Sequence, residues 1–331
     1  MQQRIQDYLS AKLGAESVLI SDLYRIPGGA SRETWSFDAR WRENGREVAR
    51  GFVMRRDPDA SLLETDRDIE FRVMDAVAAH GVPVPKMYWL EADGSWLDRP
   101  FFVMERIDGC ETSPSKVLLA ARDRLAEQFV DVLARIHSLD WRASGLDFLG
   151  VPKSKASCAV MEIEKWETVV DRDALEPQPV LRAAFRWLRR HLPPPAQRIV
   201  LVHADYRTGN FLCDSEGEMK GVLDWEMTHL GDPMEDVAWA CLRPWRWLGD
   251  EKIGGLMERH DFYRRYEEAS DFTVAEEAAR FWEVLGNVKL AAIFLTGARS
   301  LCEERTRSPM MALLGRNISR LELEIMDLMG V

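Results

Sequence analysis

Asp205, Asn210 and Asp224 lie close together in the chain, in the stretches I-V-L-V-H-A-D-Y-R-T-G-N-F-L-C-D and M-K-G-V-L-D-W-E. A carboxylate five residues before an amide, with a second carboxylate further on, offers one base for a hydroxyl proton and two hard oxygen ligands for a divalent cation. Mg2+ suits that set, because it takes one or two protein oxygens and completes its shell with water and phosphate oxygens. Without a cation, two neighbouring acids would repel and one would hold a proton. Taken singly, each acid reads equally well as a turn former or a helix cap. The order in which they occur carries the signal.

That order implies the elements that position them. The apolar runs Ile199–Val202 and Gly221–Leu223 read as short buried strands, each ending where the polar groups begin. Phe211–Cys213 and the Ser215-Glu216-Gly217 turn complete a tight hairpin between them. After Glu226, the sequence Gly231-Asp232-Pro233 opens a helix, with Asp232 as N-cap and Pro233 in the first turn. Asp236 on that helix is expected to brace the loop around Asp205. Three prolines, Pro193 to Pro195, lead into the first strand.

Upstream, Ile5, Leu9 and Leu13 mark a short amphipathic helix, followed by strands at Ser17–Arg25, Trp35–Trp41 and Val48–Arg55. The last two flank an Asn44-Gly45 hairpin turn. Between the first two stands P-G-G-A-S-R, where Gly28, Gly29, Ala30 and Ser31 let backbone approach a phosphate closely. A helix over about 62–80 carries Ile69, Val73 and Val77 on one face, with Glu70 beside them. Gly81-Val82-Pro83-Val84-Pro85 breaks it, and strands at Lys86–Leu90 and Pro100–Met104 follow. Downstream the period becomes helical: Leu125, Phe129, Val132 and Ile136, then 157–172 and 179–192, then two stripes at 281–295 and 314–328. His137 reads as a cap or core-edge residue, and Trp245 and Trp247 as either pocket lining or packing.

The chain has 331 residues, a formal charge of -11 and five scattered cysteines without a C-x-x-C pair. Such an acidic balance argues against nucleic acid as a partner, and the cysteines fit reduced thiols rather than a disulfide frame or zinc site. No run of 18 apolar residues and no apolar N-terminal segment are seen, so a cytoplasmic protein without membrane contact is expected.

H-x-D-x-x-x-x-N, a strand, then D-W-E and G-D-P resemble the aminoglycoside phosphotransferase family, a branch of the protein-kinase-like fold. D-W-E-M-T-H-L-G-D-P-M-E-D-V-A-W and F-V-M-R-R look most like the subgroup also found fused to acyl-CoA dehydrogenases. The resemblance implies an α+β, bilobal fold: an antiparallel-sheet lobe over 1–107, a hinge at about 104–109 and a mainly helical lobe over 108–331. It implies transfer of the ATP γ-phosphoryl group to a hydroxyl of a small molecule, with an antibiotic less favoured than a metabolic hydroxyl or hydroxyacyl compound. Asp205 then acts on the acceptor hydroxyl, Arg207 stabilises charge, His203 supports the loop, and Asn210 with Asp224 holds Mg2+. Gly28 to Ser31 would cover the phosphates. Arg55 replaces the usual phosphate-contacting Lys and would pair with Glu70, with Arg56 as rival. Met104 would back the adenine pocket, while Glu105 and Ile107 read adenine through their backbone. Glu226 stands where protein kinases keep Gly. A binding module without turnover is the alternative, and a protein kinase is disfavoured because G-D-P follows D-W-E too soon.

Overall fold

The structure, a computed structural model, describes residues 1–26, 33–57, 67–112, 114–246, 251–306 and 308–331. The expected phosphate loop Gly28, Gly29, Ala30 and Ser31, the first residues of the 62–80 helix, and Trp247 lie outside these.

Strands β1 (Val18–Arg25), β2 (Glu33–Glu43), β3 (Arg46–Arg56), β4 (Met87–Glu91) and β5 (Phe101–Glu105) form an antiparallel sheet in the order β1-β2-β3-β5-β4. Asn44 and Gly45 both take positive φ, 50° and 77°, as a two-residue hairpin turn between β2 and β3 requires. Because side chains alternate across a strand, β3 divides its residues between two cores. Phe52 and Met54 pack with Tyr8 and Leu9 of helix α1 (Gln2–Leu13), whereas Val53 packs with Val73 and Val77 of α2 (Arg67–Ala79). Arg55 shares the face of Val53 and turns toward α2. Arg56 shares the opposite face and donates to Glu33 and to the Leu97 carbonyl, so the rivalry between the two arginines is decided by parity.

The rest of the chain is mainly helical. Helices α3 (Pro114–Ser138), α4 (Ser157–Asp173), α5 (Pro179–Arg190), α6 (Met234–Cys241) and α7 (Arg259–Ala269) are joined by α8 (Glu276–Cys302), α9 (Pro309–Arg316) and α10 (Ile318–Met329). Two small sheets pair β6 (Val200–Val202) with β9 (His229–Gly231), and β7 (Phe211–Cys213) with β8 (Met219–Val222). By length and composition α8 could cross a bilayer, yet 72% of its most apolar window is buried inside the protein. Two features depart from the periodicity. The 314–328 stripe is broken at Asn317 into α9 and α10, and α3 kinks at Ala121 (φ -135°). Strand β9 was not expected, since three residues carry too little pattern to show as a strand.

Candidate active site

Asp205 sits in the turn after β6. Its Oδ1 accepts hydrogen bonds from Trp239 Nε1 (2.9 Å) and Arg207 Nε (3.0 Å), and its Oδ2 accepts one from Asn210 Nδ2 (2.5 Å). Asn210 Nδ2 also reaches the Asp205 carbonyl at 3.0 Å. The amide nitrogen is therefore committed to Asp205, which leaves the amide oxygen as the group free to act as a ligand. Arg207 in turn lies over the Trp245 ring (4.4 Å to its centroid), and Trp245 packs on Trp239 at 5.6 Å.

His203 couples the two acids. Its Nδ1 accepts the Asp205 N–H (3.1 Å), so Nε2 carries the proton and donates to the Leu223 carbonyl at 3.0 Å. The residue before Asp224 is thereby tied to the turn bearing Asp205, and Leu223 N–H donates to the Asn210 carbonyl at 2.8 Å. Burial lowers the His203 pKa against the pull of Asp236 and Asp205, which keeps the imidazole in the neutral form this geometry needs.

The loop backbone is strained and held. Ala204 has φ 69° and Asp224 φ 63°, conformations that cost a non-glycine residue about 1–2 kcal/mol each. Asp236, fully buried at the start of α6, accepts the N–H groups of His203 (2.7 Å) and Ala204 (2.8 Å). Behind it, His137 Nε2 lies 3.1 Å from Asp236 and its Nδ1 meets the Tyr266 hydroxyl at 2.6 Å, so His137 is a buried connector and not a helix cap. From α8, the buried Lys289 donates to the Ala204 carbonyl at 2.6 Å and to Glu235 at 3.1 Å. Asp232 Oδ1 accepts the Met234 N–H at 3.0 Å and Pro233 already has helical backbone angles, so Asp232 caps α6 as expected.

Arg55 joins the sheet to this constellation. Its Nη1 donates to Glu70 and its Nη2 to Asp224 at 2.7 Å. Burial would raise the Asp224 carboxyl, but the charge and hydrogen bond of Arg55 outweigh it, with Arg207 adding to them, and hold it below its ordinary value. The charge of Glu226 also bears on Arg55.

At the end of β5, Met104 is buried, Glu105 N–H donates to the Lys86 carbonyl at 2.8 Å, and Ile107 Cδ1 lies 3.2 Å from where a Cβ on Gly221 would stand. The segment thus packs directly on the β7–β8 hairpin. Asp205, Asn210, His203 and Arg207 form one hydrogen-bonded group and Asp224, Arg55 and Glu70 another, and the backbone of Leu223 joins the two. Trp239 and Lys289 were missed as supports. Lys289 had a visible signal, a lysine inside the apolar run of α8, since a buried lysine calls for a partner.

The profile of the phosphotransferase enzyme family matches residues 25–281. Among curated proteins, acyl-CoA dehydrogenase family member 10 of Mus musculus is 33% identical over 247 residues, 73% of this chain and 22% of that protein. Family member 11 of Rattus norvegicus is 31% identical over 196 residues, 57% of this chain and 25% of that protein. The chain spans about a quarter of the length of these relatives. Among solved structures, a candidate aminoglycoside phosphotransferase of Ralstonia eutropha aligns with a TM-score of 0.76 at 23% identity, covering 100% of this chain and 98% of that one. Choline kinase LicA from Streptococcus pneumoniae aligns at 0.64 with 15% identity over 100% and 99% of the two chains. A thermostable aminoglycoside phosphotransferase mutant, in ternary complex with ADP and hygromycin B, aligns at 0.60 with 18% identity over 98% and 97%. These structures establish the bilobal kinase-like fold.

Proposed function

The chain belongs to the phosphotransferase enzyme family, and from that membership we propose that it moves the γ-phosphoryl group of ATP, with Mg2+, to a hydroxyl of a small molecule. The observation that carries this reading is the three-way restraint on Asp205 by Trp239, Arg207 and Asn210. A carboxylate fixed by three donors can orient an acceptor hydroxyl and receive its proton without first paying to order itself. Arg207, bonded to Asp205 and stacked on Trp245, supplies positive charge beside the reacting oxygen.

The donor chemistry fits Mg2+. Asn210 keeps its amide oxygen free, and Asp224 keeps the oxygen that Arg55 does not take, so two hard oxygens stand on backbones joined by the Leu223–Asn210 hydrogen bond. When bound there, the ion would neutralise charge on the phosphate oxygens. Arg55, held by Glu70, would exchange Asp224 for a phosphate. Gly28, Gly29, Ala30 and Ser31 as phosphate cover, Met104, Glu105 and Ile107 as adenine contacts, and a lobe boundary near 107 belong to the same proposal.

We take the cavity of about 530 Å³ lined by Arg243, Pro244, Asn287, Phe294, Arg320 and Leu321 as the acceptor pocket, an assignment that would favour a metabolic acceptor over an aminoglycoside. Two guanidinium groups on its wall would repel a polycation, although Glu324 pairs with Arg243 at 3.2 Å.

The test is ADP release over aminoglycosides, sugars, amino alcohols and hydroxyacyl compounds, with Asp205→Asn as blank. Turnover is expected to fall by roughly 10³-fold or more in that variant while Mg-nucleotide binding stays near wild type. Full activity of Asp205→Asn would refute the assignment. The bond between Arg55 and Asp224 favours one second reading, a nucleotide-binding module in which arginine keeps the metal ligand occupied. Nucleotide binding without Mg2+ dependence, and no turnover with any acceptor, would select it.

A further inference from the structure

Away from Asp205 in the contact network, three side chains from three elements converge. Glu162 comes from α4, His229 from β9 and Glu235 from α6. His229 Nε2 lies 3.0 Å from Glu235 Oε2 and 3.6 Å from Glu162 Oε1, and the three atoms all fall within 4.8 Å of one another. We propose that this cluster is a binding site for a zinc-class divalent ion, separate from the Asn210–Asp224 pair and independent of the phosphotransfer reading.

The orientation of each group supports it. His229 Nδ1 lies 3.1 Å from the Met227 carbonyl, a contact it makes only as a donor, so Nε2 is the nitrogen aimed at the two carboxylates. A ring nitrogen facing two carboxylates calls for a cation between them, either a proton or a metal. The distal atoms of the carboxylates are held as well. Trp166 Nε1 donates to Glu162 Oε2 at 2.9 Å, and Lys289 donates to Glu235 Oε1 at 3.1 Å. Every group therefore has its non-coordinating atom fixed by a hydrogen-bond partner, which is how proteins orient metal ligands.

Spacing agrees with zinc. Bonds of about 2.0–2.2 Å to nitrogen and oxygen in tetrahedral geometry put neighbouring ligand atoms roughly 3.3–3.6 Å apart, and the two distances to His229 bracket that range. One imidazole with two carboxylates is a zinc ligand set. An adjoining cavity of about 190 Å³ has room for a water as fourth ligand. The competitor is Lys165, whose Nζ stands 3.2 Å from Glu162 Oε1. Its side chain is 44% exposed, so it can swing into solvent as the metal enters. Glu162, Glu235 and Asp232, which lines the same cavity, then match the charge of the ion and of Lys289. Through Glu235 and Lys289 the ion would tie α4, β9 and α6 to the Ala204 carbonyl.

The test uses the full chain stripped with a chelator and titrated with Zn2+ against a chromophoric competitor, with Co2+ as spectroscopic probe. One Zn2+ per chain is expected. His229→Ala should bind on the order of 100-fold more weakly, and Lys165→Ala about tenfold more tightly, because the rival cation is gone. A misfolded variant cannot reproduce that gain, so Lys165→Ala decides the matter even where His229→Ala fails to fold. Bound Co2+ should show visible d–d bands without thiolate charge transfer in the near ultraviolet. Unchanged affinity in His229→Ala, no tightening in Lys165→Ala, thiolate bands, or no stoichiometric Zn2+ in the wild type would each overturn the proposal and leave the cluster as an ion network closed by a proton.

Discussion

Replacing Asp236 tests the scaffold of the catalytic turn most directly. Both of its oxygens are engaged, by His203 N–H at 2.7 Å and Ala204 N–H at 2.8 Å, and it is fully buried. Asp236→Ala leaves the two loop N–H groups without an acceptor and also removes the partner of His137 Nε2, whose loss would add to theirs. At about 1–3 kcal/mol for each unpaired loop N–H, their loss lies between about 2 and 6 kcal/mol, and the charge on the acceptor places it in the upper half. Part of that is recovered as Ala204 leaves its φ of 69°, a conformation costing about 1–2 kcal/mol, so a net loss of about 3–4 kcal/mol is expected. The recovery itself harms the site, since relaxing Ala204 moves Asp205. A displacement near 1 Å costs on the order of 100-fold in rate. Asp236→Asn keeps one oxygen acceptor and should lose about half the stability. Urea unfolding gives the first quantity, and kcat beside the nucleotide dissociation constant gives the second. A wild-type midpoint with wild-type kcat in Asp236→Ala would show that the two hydrogen bonds do not hold the turn.

Arg55→Met removes the guanidinium shared by Glu70 and Asp224; breaking a buried pair in this way should cost about 3–5 kcal/mol by urea unfolding. Arg55→Lys, one ammonium in place of a fork, should retain one partner and show weaker Mg-nucleotide binding by thermal shift. Burial works to raise the Asp173 carboxyl, and hydrogen bonds from Arg172 and Thr296 with the charges of Arg172 and Arg299 outweigh it and hold it below its ordinary value of 3.8. Its stabilisation is therefore present above about pH 4 and lost as pH falls through the lowered value, so Asp173→Asn should flatten the acid limb of stability against pH. Gly254 has φ 58°, and a Cβ there would stand 2.8 Å from Thr208 Cγ2 in the catalytic loop. Gly254→Ala should cost about 2 kcal/mol in thermal unfolding and lower kcat, whereas unchanged kcat would show that the loop yields freely.

Much of this protein was legible along the chain because its information is local. Strand period, the Asn44-Gly45 turn and the spacing of Asp205, Asn210 and Asp224 are each written within a few residues, and they sufficed for the sheet, the hairpin and the family. The parity of β3 was also there to be counted, and it sends Arg55 to Glu70 while Arg56 goes to Glu33. What only the tertiary structure decided are the contacts made across long separations. Lys289 reaches Ala204, His137 reaches Asp236, and Arg55 reaches Asp224. The same holds for Glu162 meeting His229 and Glu235. No periodicity encodes these pairs, because a side chain's partner across the fold depends on how whole helices pack. A buried charge announces that it needs a partner, and the packing chooses which one.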